Sequence, residues 1–163
     1  MTRWSDGAIT SLFIAAMFNR NIIKAVLHAG NAYFSNEDIK MINQVSDVSK
    51  WSARMRKPME DIYGVDYFPQ LWNEWINGIM TIANSNSDKN ICKELLPNIK
   101  CPTLIVHGNK DAMVAPEHPE HLHKNIQNSS LVLFPDGKHN LHFKYKDRFN
   151  DIVEQFLIKT SNT

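Results

Sequence analysis

Two apolar runs of strand length stand in the second half of the chain, and each empties into a polar loop. Thr103-Leu104-Ile105-Val106 runs into His107-Gly108-Asn109-Lys110-Asp111, and Leu131-Val132-Leu133-Phe134 runs into Pro135-Asp136-Gly137-Lys138-His139-Asn140. Neither alternates apolar with polar residues, so each predicts a strand covered on both faces. Between them Pro116 opens a predicted helix that reaches about Gln127. A strand, a crossover helix and a second strand make a unit of parallel sheet. After it, Lys146 to Ile158 reads as an amphipathic helix with the stripe Phe149, Ile152, Val153, Phe156 and Leu157.

The N-terminal end repeats the pattern in the opposite order. Gly7 to Asn19 predicts a helix whose apolar face is Ile9, Leu12, Phe13, Ala16 and Met17, and small residues at 7, 8, 15 and 16 allow close approach to a sheet. Ile22 to Ala29 predicts a mostly buried strand, ending at Gly30-Asn31. From Tyr33 to about Leu96 no sheet signal occurs. Ser35-Asn36-Glu37-Asp38 reads as a capped helix start, and Pro58, Gly64, Pro69 and the Asn84–Asp88 loop divide the segment into short helices. The chain therefore predicts an α/β protein with a core at 1–32, a helical insertion at 33–97 and the rest of the core at 98–163, its sheet holding about three strands.

Composition narrows the function classes. A 43% apolar and 21% charged chain of 163 residues can bury a core. A net charge of +1 gives no electrostatic reason to bind nucleic acid or an anionic membrane, and no apolar run approaches the roughly 20 residues of a bilayer span. The two cysteines, Cys92 and Cys101, read as buried apolar side chains in a reducing compartment, with a single bridge left open. The N-terminus has neither a secretory nor a transit-peptide pattern, and an intracellular location is expected.

Functional groups of an open parallel sheet collect at the carboxyl ends of its strands. Ser5 directly precedes the first helix, Asp111 follows the Thr103–Val106 strand, and His139 follows the Leu131–Phe134 strand. A serine hydroxyl needs a base to become a nucleophile, a histidine supplies one near neutral pH, and a buried carboxylate orients the imidazole. Each residue has a plainer alternative. Ser5 can be a helix N-cap, Asp6 a first-turn acid, and Asp111 and Asp136 turn residues, while His142 competes with His139. His118, His121 and His123 read as a solvated helix face rather than a metal site. Tyr63, Tyr67, Phe68, Trp72 and Trp75 read as insertion core before substrate pocket.

The order Ser, Asp, His resembles that of the α/β-hydrolase family. Within it, the chain resembles the valacyclovir hydrolase-like branch of α-amino-acid ester hydrolases. The segments that carry the likeness are Trp4-Ser5-Asp6-Gly7, Asn31-Ala32-Tyr33, Asp47-Val48-Ser49-Lys50-Trp51-Ser52, Arg56-Lys57-Pro58, Tyr63-Gly64, Asp66-Tyr67-Phe68, Asn90-Ile91-Cys92, Leu104 to Asp111 and Pro135 to His142. The resemblance implies Ser5 as nucleophile, Asp111 as acid and His139 as base. It also implies that the Asp6 carboxylate holds the substrate's α-ammonium group and that the Asp6 backbone N–H is one oxyanion donor. No cofactor or metal is implied, the substrate is a small amino-acid ester, and the compartment is mitochondrial or cytoplasmic.

Two departures from the family pattern set further expectations. Arg3 stands where the family's elbow has a small residue, so its side chain should crowd a neighbour, and Met1-Thr2-Arg3 should not form the elbow strand. The family's strands before the elbow, and its His-Gly loop with the second oxyanion donor, have no counterpart in the chain. The expected consequence is an N-terminally truncated hydrolase with an exposed sheet edge that promotes self-association; the alternative is a catalytically incompetent fragment or an interaction protein.

Overall fold

The computed structural model describes residues 1–158. Its chain contacts divide into two units, one made of Met1–Ala32 and the chain from Cys92 onward, the other of Tyr33–Ile91. The boundary falls at Ile91, so residues 92–97 lie with the first unit, where Leu96 is fully buried and the Cys92 N–H donates to the Ala32 carbonyl at 2.9 Å.

The first unit is a parallel sheet of β1 (Thr2–Trp4), β2 (Ala25–His28), β3 (Thr103–Gly108) and β4 (Ser129–Phe134), in the spatial order β1-β2-β3-β4. The sheet thus has four strands, one more than expected. The additional one is β1, paired with β2 from Thr2 opposite Val26 to Trp4 opposite His28. Only three residues long, it shows no apolar run, and the backbone ladder rather than side-chain burial identifies it; all three residues are exposed along the sheet edge. β2 and β3 are buried at every position, as central parallel strands require. β2 is shorter than its apolar run: Ile22 and Ile23 lie ahead of it, and Ile23 is 86% exposed.

Helix α1 (Asp6–Met17) buries Leu12 and Ala16 of the expected stripe together with Ala8 and Ala15, small residues expected to approach the sheet, while Met17 turns away from it. Ala8, Ser11, Leu12, Ala15 and Ala16 are buried, whereas Met17 is exposed. A β-carbon on Gly30 would stand 2.8 Å from Ala8 Cβ, so the small side chains of the helix come close to the chain, with Leu12 buried among them and Met17 outside. α5 (Glu117–Asn125) buries His118 and Leu122 on one inward face, so His118 belongs to the core rather than to a solvated face. α6 (Leu141–Lys144) and α7 (Lys146–Ile158) follow β4. Phe149, Ile152, Val153 and Phe156 of α7 pack against Val26, Leu104, Val106, Phe134 and Leu141, while Leu157 faces outward. Both cysteines are buried and free, and burial pushes the Cys92 thiol up to about 12.

The second unit contains α2 (Asn36–Val45), α3 (Ala53–Tyr63) and α4 (Tyr67–Asn84). Ser35 and Asp38 form a reciprocal capping box at the start of α2. The Trp51 and Trp72 indoles both donate to the Val45 carbonyl, at 3.0 and 2.9 Å, and so cap its other end. Phe34, Ile42, Ile76, Ile79 and Ala83 form its core, with Trp72 and Trp75 packed on them and Phe68 fully buried. Tyr63 and Tyr67 are exposed and take no part in that core. No helix of the described residues is long and apolar enough to cross a membrane.

Two glycines bring the ends of β3 and β4 together. A β-carbon on Gly108 would fall on the Gly137 carbonyl group, and one on Gly137 would lie 2.7 Å from Phe134 Cβ. Gly78, inside α4, has open space around it. Gly108→Ala is expected to destabilise the chain by about 3 kcal/mol or more, and Gly78→Ala to stabilise it by about 0.5–1 kcal/mol. Urea unfolding of the two variants measures both, and equal midpoints would contradict the packing argument.

Candidate active site

The chain enters the site through a strained turn. Ser5 closes β1 and opens α1 with φ 56° and ψ −128°, a conformation that non-glycine residues adopt at a cost of about 1–3 kcal/mol. Its N–H donates to the His28 carbonyl of β2 at 2.9 Å, which anchors the turn to the sheet. Its hydroxyl makes no cap bond to α1, so the plain N-cap reading does not describe it. Arg3 does not crowd the turn. Its aliphatic stem lies over Gly7, where a β-carbon would stand 3.5 Å from Arg3 Cδ, and the side chain is exposed.

Two loops bring their side chains to that hydroxyl. The loop after β3 folds around Asp111, whose carboxylate accepts the Met113 N–H at 2.8 Å and the Val114 N–H at 3.1 Å. The loop after β4 is tied to it through the backbone: the Asn109 N–H donates to the Phe134 carbonyl and the Lys110 N–H to the Gly137 carbonyl. Lys110 and Asp136 form an exposed ion pair at the rim, so Asp136 is engaged outside the site. His139 Nδ1 stands 2.9 Å from Asp111 Oδ2, and its Nε2 stands 3.0 Å from Ser5 Oγ. Ser5, Asp111 and His139, read from three separate segments, are thus brought into one hydrogen-bonded line.

Electrostatics sets the protons in that line. Burial alone would raise the Asp111 carboxyl, whose side chain is 1% exposed, but the His139 hydrogen bond and charge, the Met113 N–H and His107 outweigh it, and its pKa is lowered. An ionised Asp111 can only accept, so Nδ1 of His139 donates to it and Nε2 faces the Ser5 hydroxyl. Asp6 is the first residue of α1, with an exposed side chain. Its N–H is at a position where a helix provides no intrahelical acceptor, the usual place for an anion.

Sequence reasoning missed an aromatic group behind His139. The Trp4 indole N–H donates to the His139 carbonyl at 3.0 Å. The Trp4 ring lies 5.2 Å from both His139 and His142, and His28 meets His142 edge-on at 5.0 Å. His142 is therefore a neighbour of the line and not part of it. A cleft in the helical unit, lined by Ser46, Asp47, Ser49, Arg56, Glu60 and Asn73 among others, contains none of these residues. Among the described residues no three His, Cys, Asp or Glu side chains gather as a metal site.

Comparison with known proteins adds the family. Residues 43–144 match the family described as alpha/beta hydrolase fold. The chain belongs to that family. It is 47% identical over 154 residues to the human protein named serine hydrolase BPHL, covering 94% of this chain and 53% of that protein. The mouse protein of the same name is 46% identical over the same length. The chain spans about half the length of these curated relatives. Among solved structures, an alpha/beta hydrolase enzyme from a deep-sea metagenome library, MGS-M2, superposes with a TM-score of 0.70 at 19% identity, over 99% of this chain and 66% of that one, a likeness of fold.

The buried histidine beside the site makes stability depend on pH. Burial, with His142 and His139 close by, lowers the pKa of His28 to about 3 from the ordinary 6.5. Between those values the unfolded chain binds a proton that the folded one refuses. The His28 contribution is therefore complete above pH 6.5 and falls by about 1.4 kcal/mol per unit as pH drops toward 3. Removing the group in His28→Leu is expected to flatten the curve by that slope. Denaturant titrations between pH 7 and 4 check it, and parallel curves would refute it.

Proposed function

We propose that the chain carries the catalytic triad of a serine ester hydrolase acting on small α-amino-acid esters. The observation that carries this reading is the line Ser5 Oγ, His139 Nε2, His139 Nδ1, Asp111 Oδ2, with separations of 3.0 and 2.9 Å. In the proposed reaction the Ser5 hydroxyl attacks the ester carbonyl while His139 takes its proton. Asp111 stabilises the imidazolium, and the Asp6 N–H at the start of α1 stabilises the oxyanion. His139 returns the proton to the departing alcohol, and water then cleaves the acyl-enzyme by the same steps. Identity to serine hydrolase BPHL over 94% of the chain supports the hydrolase class.

A fluorophosphonate probe tests the nucleophile directly. It is expected to label Ser5 stoichiometrically, and ester hydrolysis by Ser5→Ala is expected to fall about 10³-fold or more. Labelling elsewhere, or unchanged turnover, would remove the assignment. A folded chain that takes no label favours the second reading, a non-catalytic interaction protein, for which the exposed β1 edge provides the surface.

The amine specificity rests on Asp6. A carboxylate next to the nucleophile pairs with a substrate ammonium, a charge-assisted contact worth about 1.5–3 kcal/mol. Asp6→Asn is expected to lower kcat/KM for a valyl ester about 10- to 100-fold and to leave an uncharged acyl ester within about twofold. Equal losses on both esters would show that Asp6 does not select the amine.

A further inference from the structure

We propose that Trp4 is a positioning residue, whose indole N–H clamps the base loop to the nucleophile strand. The proposal rests on the reading of Ser5, Asp111 and His139 as a triad. Its starting point is a spatial problem. β1 and β4 are the two outer strands of the sheet, separated by three strand spacings, or about 14 Å. Ser5 follows one and His139 follows the other, yet their reacting atoms stand 3.0 Å apart. The His139 loop must therefore reach back over the ends of β3 and β2. Asp111, at the end of β3, supports it part-way through the imidazole. The Lys110 N–H also ties the loop backbone at Gly137, which leaves the His139 backbone, two residues on, free to turn about that tie.

Trp4 removes that freedom. It is the residue before the nucleophile, so its backbone position is coupled to Ser5, and its indole N–H reaches 135 residues along the chain to the His139 carbonyl at 3.0 Å. The ring also lies against His139 at a 48° tilt and against His142 at 59°, each 5.2 Å away. His142 is backed in turn by His28, and the His28 carbonyl holds the Ser5 N–H. The contacts form a closed circuit: Ser5 to His139, His139 to Trp4, Trp4 to Ser5 through one peptide bond, and a return through His142 and His28. A circuit fixes the base in three dimensions, where a single hydrogen bond fixes one direction. Trp4 is 39% exposed, so its bond lies at the rim of the unit and contributes little to holding the fold together.

The full-length ¹⁵N-labelled chain tests the clamp without a variant. The four tryptophans give four indole N–H signals. The Trp4 signal, assigned by its NOE to the His139–Asn140 backbone, is expected to exchange at least about tenfold more slowly than a solvated indole. Exchange at the free rate, or no such NOE, overturns the clamp. Trp4→Phe keeps a ring beside the imidazoles and removes only the donor. Its phosphonylation rate at Ser5 and its kcat are expected to fall about 5- to 20-fold, with KM and the unfolding midpoint unchanged. A loss confined to KM, a loss that follows the midpoint, or no loss overturns the positioning role. If the parent chain takes no label at Ser5, the triad reading fails, and the exchange measurement still decides the clamp.

Discussion

The Asp111 carboxylate is the charge around which the first unit is arranged. With its side chain 1% exposed, it has lost its water and must be compensated by protein groups. Two backbone N–H groups and one imidazole do so. Those partners shape the loop after β3, bring in the loop after β4 and fix which ring nitrogen of His139 holds a proton. The Gly108–Gly137 contact lies at the same place and lets the two loops come close enough to share that carboxylate.

The parts of the molecule that follow from burial were readable in the chain. β3, β4 and α7 appear at the positions their apolar runs predict, although β4, an outer strand, is only half-buried where it was expected to be covered on both faces. Ser5, Asp111 and His139 were readable because each directly follows or precedes such an element. What escaped depends on backbone or on surface. β1 has three exposed residues and is a strand only by its ladder to β2. In α1 the small residues marked the close approach, but the exposure of Met17 at the end of its apolar stripe was not visible in the periodicity. Trp4 reads as one more aromatic until its bond across the sheet is seen.

The two units show different solutions to the same need for order. The first relies on two central strands buried from both sides and on backbone contacts between loops. The second, without a sheet, closes its helices with side chains: a capping box at one end of α2, and two indoles on a single carbonyl at the other. Tryptophan suits the second task because it brings a large apolar face and one donor to the same spot. The four tryptophans are thus not interchangeable bulk. Trp51 and Trp72 serve a helix end, and Trp75 packs on the helical core. Trp4, in the other unit, serves a loop.

The backbone at Ser5 carries one more implication. Its φ of 56° with ψ of −128° is terrain that glycine enters freely and serine does not. The hydroxyl that His139 Nε2 faces is therefore held on a backbone that does not suit a serine. A search for sturdier versions of this chain that scored only thermal resistance would drift toward glycine at position 5 and discard the hydroxyl. Under the proposed function, robustness and reactivity pull this one position in opposite directions.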